Sequence, residues 1–161
     1  MTPGDRLRAA VVSCLGLGYS PVVPGTVGSL AGVLFAFCGG SFTAVHFGLW
    51  LAAGALLGLL AGIGLGGWAE KHYGSKDPSQ FVLDEFVGYC IALLRLKAGA
   101  PSLLEIASAF FLFRLFDVAK PWPARRLEFL PKGLGIMLDD VFAGLYALIV
   151  VSMLREYLDW P

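Results

Sequence analysis

Long apolar stretches separated by short polar segments dominate the pattern along the chain. Five such stretches can be distinguished, at residues 26–37, 42–68, 81–96, 103–118 and 141–154. None of them sustains the two-residue alternation of a half-buried strand, and an open sheet could not satisfy its backbone polar groups in lipid. The pattern therefore predicts an all-α protein, a compact bundle of about five apolar helices.

The second stretch indicates that lipid surrounds this bundle. No Lys, Arg, Asp or Glu occurs between Arg8 and Glu70, and a helix over 42–68 would reach about 40 Å, enough to cross a hydrocarbon core. Glycines recur there at every fourth position, at Gly54, Gly58 and Gly62. Such a stripe predicts close packing on other helices. The first and third stretches are short enough to be re-entrant or interfacial.

Composition supports a membrane protein and excludes other classes. The chain has 161 residues, of which 57% are hydrophobic and 15% charged, against roughly a quarter charged in soluble proteins. We expect one domain over residues 1–161. A net charge of zero gives no indication of nucleic-acid binding. The three cysteines form no CxxC pair, so a disulfide framework or a zinc site is not indicated.

The basic residues indicate an orientation. If the five stretches alternate across the bilayer, nine of the twelve Lys and Arg residues lie on one side. These nine are Arg6, Arg8, Lys71, Lys76, Arg114, Lys120, Arg125, Arg126 and Lys132, and the other three are Arg95, Lys97 and Arg155. Because basic residues favour the cytoplasmic side of a membrane, the richer side is predicted to be cytoplasmic.

The same topology brings carboxylates together on that side. Asp84 and Glu85 stand near the start of the third stretch, Asp117 ends the fourth, and Asp139 and Asp140 precede the fifth. Ionisable groups at the edge of a membrane span are costly and usually face a cavity in which they act. We therefore predict an acidic site at the cytoplasmic face. The start of the first stretch, with Thr26 and Ser29, and the loop residue Asp77 are expected at the same depth.

Such a cluster of acids favours a divalent cation, and Mg²⁺ is commonly held by carboxylates, waters and substrate phosphate. A basic set follows the fourth stretch and lies beside the acids: Arg114, Lys120, Arg125 and Arg126. Arg and Lys side chains are the usual partners of phosphate oxygens. Carboxylates, a hard cation and basic groups together predict phosphoryl chemistry at a membrane surface.

Structural explanations exist for each part of this set. Acidic pairs also stabilise helix N-termini, and basic residues also anchor helices at the cytoplasmic face. Asp117, at the C-terminal end of its helix, does not fit the first explanation. Cysteine, histidine and aspartyl-nucleophile phosphatase motifs are absent from the sequence. Attack by a metal-activated water, or by an unusual carboxylate nucleophile, remains.

Four segments resemble the phosphatidylglycerophosphatase A family in content and order. They are 20–30 (SPVVPGTVGSL), 77–78 (DP) with 82–88 (VLDEFVG), 113–123 (FRLFDVAKPWP) and 133–144 (GLGIMLDDVFAG). The resemblance implies a Mg²⁺-dependent phosphatase of bacterial phospholipid synthesis that converts phosphatidylglycerophosphate to phosphatidylglycerol and inorganic phosphate. Together with the charge-free stretch and the asymmetry of the basic residues, it predicts a multi-pass protein of the bacterial inner membrane, with an anionic phospholipid as its partner and its active site facing the cytoplasm.

The resemblance also implies site residues. The catalytic set is Asp84, Glu85, Asp117, Lys120, Asp139 and Asp140. Within it, Asp84, Glu85, Asp139 and Asp140 are the expected metal ligands, and either Asp117 or Glu85 is the expected general base. The topology and the basic set, rather than the resemblance, give the expected substrate-binding residues Thr26, Ser29, Arg114, Arg125 and Arg126. The oligomeric state is not indicated by any feature of the sequence.

Three other functions compete with this one. The first is a phosphatase for another lipid or isoprenoid phosphate that uses the same groups. The second is a small transporter or ion-pathway subunit in which the carboxylates carry cations, although such a protein would spread its charges through the depth of the membrane. The third is a structural membrane subunit, which leaves the basic cluster beside the acids unexplained.

Overall fold

The computed structural model describes residues 1–39, 43–94 and 102–157. These ranges contain helices and no strand, which confirms the all-α prediction for the part of the chain described. The helices are α1 (Pro3–Val12), α2 (Pro24–Cys38), α3 (Ala44–Tyr73), α4 (Leu83–Ala92), α5 (Leu103–Ala119), α6 (Ala124–Leu127) and α7 (Gly133–Tyr157), with a short 3₁₀ helix at Leu17–Tyr19. Arg95 and Lys97, which the predicted topology places opposite the site, lie outside the described residues.

The helix α4 is the centre of the bundle. It packs against α2, α3, α5 and α7, and most of its ten residues are buried. The third apolar stretch thus forms a short internal helix rather than one long enough to cross a bilayer. The C-terminal half of α4 is held to α5 by Tyr89, whose hydroxyl donates a hydrogen bond of 3.0 Å to the carbonyl of Ile106.

The glycine stripe of α3 packs as expected, but on three different helices. A side chain at Gly54 would meet Phe35 of α2, one at Gly58 would meet Val87 of α4, and one at Gly62 would meet Met137 of α7. The absence of a Cβ at each level lets α3 lie close to each partner in turn. The stripe therefore organises the whole bundle along one helix.

Within the described ranges, two helices are long and apolar enough to cross a membrane, by length and composition. They are α3, over His46–Tyr73, and α7, each with a mean hydropathy of 2.0. Only 17% of the most apolar window of α3 is buried inside the protein, and its large side chains Leu56, Leu57 and Leu60 are exposed. Apolar surface of this extent needs a covering of lipid or of a partner.

The helices differ from the sequence-based expectation in two respects: there is an additional helix, and the last helix begins earlier. An additional helix, α1, begins at a capping box in which Thr2 Oγ1 accepts from Asp5 N at 3.1 Å and Asp5 Oδ2 accepts from Thr2 N at 3.2 Å. The last helix begins at Gly133, well before Val141. Asp139 and Asp140 consequently lie in the second turn of α7 and do not cap its N-terminus.

Candidate active site

The crossing of α4 and α7 brings two carboxylates together. A Cβ at Gly88 would lie 2.7 Å from the carbonyl oxygen of Asp140, and a Cβ at Gly144 would lie 3.0 Å from the carbonyl carbon of Gly88. Only residues without a side chain permit this approach of two backbones. Asp84 and Asp140 each stand four residues before one of these glycines. Both therefore lie one turn above the crossing, on the facing sides of the two helices.

Three carboxylates form a compact cluster there. One oxygen each of Asp84, Glu85 and Asp140 lies within 4.8 Å of the others. Asp84 is 8% and Asp140 3% exposed. Oxygens at this spacing suit one hard divalent cation, which commonly uses a few carboxylates and completes its shell with water and substrate.

The hydrogen bonding of Glu85 supports a cation at this position. Its Oε2 is buried and has no hydrogen-bond partner among the described residues. A buried carboxylate oxygen without a partner is strongly destabilising unless a ligand satisfies it. The residues present therefore fit a bound metal ion.

The end of α5 supplies the two cationic groups that line the site among the described residues. Arg114 Nη1 lies 2.6 Å from Asp117 Oδ2 and 3.9 Å from Glu85 Oε1. Lys120 caps the C-terminus of α5 in a left-handed conformation, with φ of 43°, which is uncommon for a residue with a side chain. This turn directs its ammonium to Asp139 Oδ2 at 2.7 Å, so α5 is tied to α7.

The electrostatics keep Lys120 charged. Burial alone would lower the pKa of Lys120, but the hydrogen bond to Asp139 and the charge of that carboxylate outweigh burial and raise the pKa. The pKa of Asp77 is also raised, but for an acid this direction favours the neutral form. Burial raises the pKa of Asp77, although the nearby charge of Lys120 opposes the shift.

These groups surround one cavity of about 350 Å³. The start of α2 closes one wall through Val23, Pro24 and Gly25. The charged residues that line the cavity are Asp77, Asp84, Glu85, Arg114, Asp117, Lys120, Asp139 and Asp140. Because acids outnumber bases, an anionic substrate would be repelled unless a cation were bound as well. The cavity is therefore suited to a metal ion together with a phosphate group.

The expected site residues divide into two groups. All six residues of the expected catalytic set line the cavity, as does Arg114. Asp139 is not in the three-oxygen cluster, since it pairs with Lys120. The other four expected substrate-binding residues, Thr26, Ser29, Arg125 and Arg126, do not line the cavity. Ser29 is buried and donates a hydrogen bond of 3.0 Å to the carbonyl of Gly25, whereas Arg125 and Arg126 are exposed on α6.

Two cavity features are absent from the expected set. Asp77 contributes a carboxylate from the loop before α4, and the sequence signal for it is the Asp-Pro pair just upstream of Asp84. Gly25 matters because it has no side chain: a Cβ there would collide with the carboxylate of Glu85. The SPVVPG segment therefore shapes the cavity with its backbone rather than with hydroxyl groups.

Buried carboxylates next to Arg and Lys in a helical bundle are the features of a class of protein: an all-helical phosphoryl-transfer enzyme with extensive apolar surface. The chain belongs to the phosphatidylglycerophosphatase A family, whose sequence model matches residues 10–155. The resemblance carried by the four segments is thereby confirmed.

Two relatives carry the name of this family, and a third carries a different name. The chain is 40% identical to phosphatidylglycerophosphatase A of Haemophilus influenzae, over 89% of this chain and 85% of that protein. It is 34% identical to phosphatidylglycerophosphatase A of Escherichia coli, over 91% of this chain and 81% of that protein. A Bacteroides thetaiotaomicron protein, whose name provisionally marks it as a phosphatidylinositol-3-phosphatase, is 38% identical over 87% of this chain and 88% of its own length. No solved structure matches the chain.

Proposed function

We propose that this protein hydrolyses phosphatidylglycerophosphate to phosphatidylglycerol and inorganic phosphate, with Mg²⁺ as its cofactor, in bacterial phospholipid synthesis. The observation that carries the proposal is the cluster of Asp84, Glu85 and Asp140, with an unpaired Glu85 oxygen, in a cavity that also holds Arg114 and Lys120. Membership of the family and the names of two relatives support the choice of substrate.

The three clustered carboxylates are the proposed Mg²⁺ ligands, and Asp139 supports them from the adjacent position on α7. Bound Mg²⁺ would polarise the phosphoryl oxygens and lower the pKa of a bound water. The oxygen ligands and the excess of negative charge both suit a hard cation. Asp139 holds Lys120 in place instead of binding the metal directly.

The remaining groups act on the substrate. Arg114 and Lys120 contact the phosphoryl oxygens and stabilise the charge that spreads over them in the transition state. Asp117 accepts the proton of the attacking water, since Glu85, the other expected base, belongs to the metal cluster. The new bond joins the water oxygen to phosphorus, and the bond from phosphorus to the glycerol oxygen breaks. That oxygen takes up a proton and leaves as the alcohol of phosphatidylglycerol.

The proposed location is the bacterial inner membrane, with several spans and the site at the cytoplasmic headgroup level. The apolar lengths of α3 and α7 and the exposed leucines of α3 support this placement. A cysteine in the loop before α4, introduced as Ser75→Cys in a Cys38→Ser background, tests the orientation. In intact cells a membrane-impermeant maleimide should leave it unlabelled, and permeabilised cells should label it. Labelling in intact cells would place the site on the other side.

The decisive experiment measures phosphate release from phosphatidylglycerophosphate by detergent-purified protein, with Mg²⁺ or with EDTA. Asp84→Asn and Asp140→Asn should each lower kcat/KM about a hundredfold or more, the scale of losing an electrostatic group of the transition state. Glu156→Gln is the matched control, because this carboxylate is exposed near the far end of α7. Normal turnover by Asp84→Asn and Asp140→Asn would refute the site.

A second lipid phosphate is the alternative that one observation favours. The Bacteroides relative carries the name of a phosphatidylinositol-3-phosphatase and matches this chain as extensively as the others. Phosphatidylinositol 3-phosphate is therefore the second substrate in the same assay. A higher kcat/KM for it than for phosphatidylglycerophosphate would make phosphatidylinositol 3-phosphate the proposed substrate of this site.

A further inference from the structure

A second cavity lies beside the active site and has the opposite character. Its volume is about 520 Å³, within the range of roughly 300–1,000 Å³ that small-molecule sites occupy. It lies between α1, α2 and α4, and none of the described residues that line it is charged. We call it the apolar groove, and define it by Val11, Leu17, Ala31, Phe35, Leu83 and Phe86.

The groove shares its walls with the active-site cavity. On α4, Leu83 and Phe86 line the groove, whereas the two residues between them, Asp84 and Glu85, line the active site. On α2, Gly25 lines the active site, and Ala31 lines the groove, about 9 Å further along the helix axis at 1.5 Å per residue. This arrangement suits a molecule with a phosphate at one end and a hydrocarbon chain at the other.

We propose that the apolar groove binds one acyl chain of the phospholipid substrate, an inference that rests on the proposed phosphatase function. The lining is hydrocarbon except for the thiols of Cys14 and Cys38, so it suits an unbranched alkyl chain and no polar ligand. The groove can admit such a chain from the bilayer, because Leu15 and Leu34, which line it, are 90% and 61% exposed. Burial of the chain would hold the phosphate against Arg114 and Lys120.

Photo-crosslinking of the unaltered protein tests the position of the chain. The probe is phosphatidylglycerophosphate with a diazirine in one acyl chain, and the control is phosphatidylcholine with the same chain. The probe should label peptides from 10–17 and 31–38, and unlabelled phosphatidylglycerophosphate should suppress this labelling. Equal labelling by the control would show that bulk lipid fills the groove, and labelling confined to α3, α5 and α7 would show that the chain lies elsewhere. Either result overturns the proposal.

Filling the groove tests its contribution to turnover. Ala31→Trp places an indole in the groove, and Ala53→Trp adds the same group at an exposed position of α3. In mixed micelles, Ala31→Trp should lower the preference for dipalmitoyl over dioctanoyl substrate, measured as the ratio of kcat/KM values, about tenfold. That is the effect of losing contact with about two methylene groups. Ala53→Trp should keep the ratio of the unaltered protein.

The outcomes separate the two hypotheses. If the unaltered protein releases phosphate and Ala31→Trp keeps the chain-length ratio, the groove does not bind the acyl chain, although the phosphatase function stands. If the unaltered protein hydrolyses neither chain length, the proposed function itself fails. If Ala31→Trp does not fold, the crosslinking of the unaltered protein decides.

Discussion

Gly144 of α7 lies against the backbone of Gly88 of α4, so closely that a Cβ on Gly144 would stand 3.1 Å from the Cα of Gly88. This contact sets the distance between the helices that carry Asp84 and Asp140. The site therefore depends on two residues without side chains, one turn below the carboxylates they position.

Substituting Gly144 should damage both stability and activity. Gly144→Ala forces α7 away from α4, and overpacking of this kind typically costs about 1–3 kcal/mol. Gly64→Ala is the matched control: Gly64 lies in α3 with open space around its Cα, and alanine favours a helix by up to about 1 kcal/mol. Thermal unfolding in detergent should show opposite signs for the two variants, and Mg²⁺-dependent phosphate release should fall only for Gly144→Ala. Equal Tm shifts would contradict this account of the crossing.

Lys120 and Asp139 should behave as a coupled pair. Lys120→Met leaves the carboxylate of Asp139, 8% exposed, without its partner at 2.7 Å, and Asp139→Asn removes the acceptor charge. In a double-mutant cycle on the free energy of unfolding, the pair should show a coupling of about 0.5–3 kcal/mol. Additive effects would mean that the contact adds no stability of its own. Phosphate release should be low in every variant that lacks Lys120.

The two arginines of α6 should contribute less to turnover than Arg114. Arg125→Gln and Arg126→Gln alter exposed side chains outside the cavity, so their effect should depend on anionic lipid in the micelle and should fade as salt is added. Arg114→Gln should lower kcat at every salt concentration, because Arg114 pairs with Asp117 inside the cavity. The test compares kcat and KM at low and high ionic strength. A salt-independent loss of kcat in Arg125→Gln would instead support the sequence-based prediction that Arg125 contacts the substrate directly.

A buried ion pair at the other end of the bundle should matter for stability alone. Glu105 Oε1 lies 3.0 Å from Arg155 Nη2, and the two side chains are 7% and 13% exposed. Glu105→Gln keeps a side chain able to close the capping box with Ser102, yet removes the carboxylate charge that lies 3.0 Å from Arg155, so a loss of stability is expected. The double change to Glu105→Gln with Arg155→Met should recover part of that loss. Phosphate release by the folded fraction should match that of the unaltered protein.

The apolar stretches predicted most of the helices, since lipid-facing and core-facing helices both require long runs of apolar side chains. The apolar pattern does not predict the start of α7 at Gly133, because the fifth apolar stretch begins only at Val141. In the structure Gly133 and Gly135 fit against neighbouring backbone carbonyls, of α3 for Gly133 and of Leu130 for Gly135. Tertiary packing here outweighs the low helix propensity of glycine.

Topology alone was enough to place the carboxylates at one end of the bundle, but not to assign their partners. Asp139 and Asp140 are adjacent in sequence and about 100° apart around a helix, so the rotation of α7 decides that Asp140 joins the cluster and Asp139 meets Lys120. The same reasoning applies to Ser29, whose hydroxyl is turned to the carbonyl of Gly25. Helix rotation depends on packing with all neighbours, and a pattern of apolar residues defines it only coarsely.

The central position of α4 has a consequence for how the protein is made. A helix of ten residues that carries Asp84 and Glu85 is too short and too polar to hold a place in a bilayer by itself. This helix is buried by α2 and α3, which precede it in the chain, and by α5 and α7, which are synthesised later. Assembly of the bundle is therefore also the step that completes the acidic cluster, and a nascent chain without its last helix would lack Asp140.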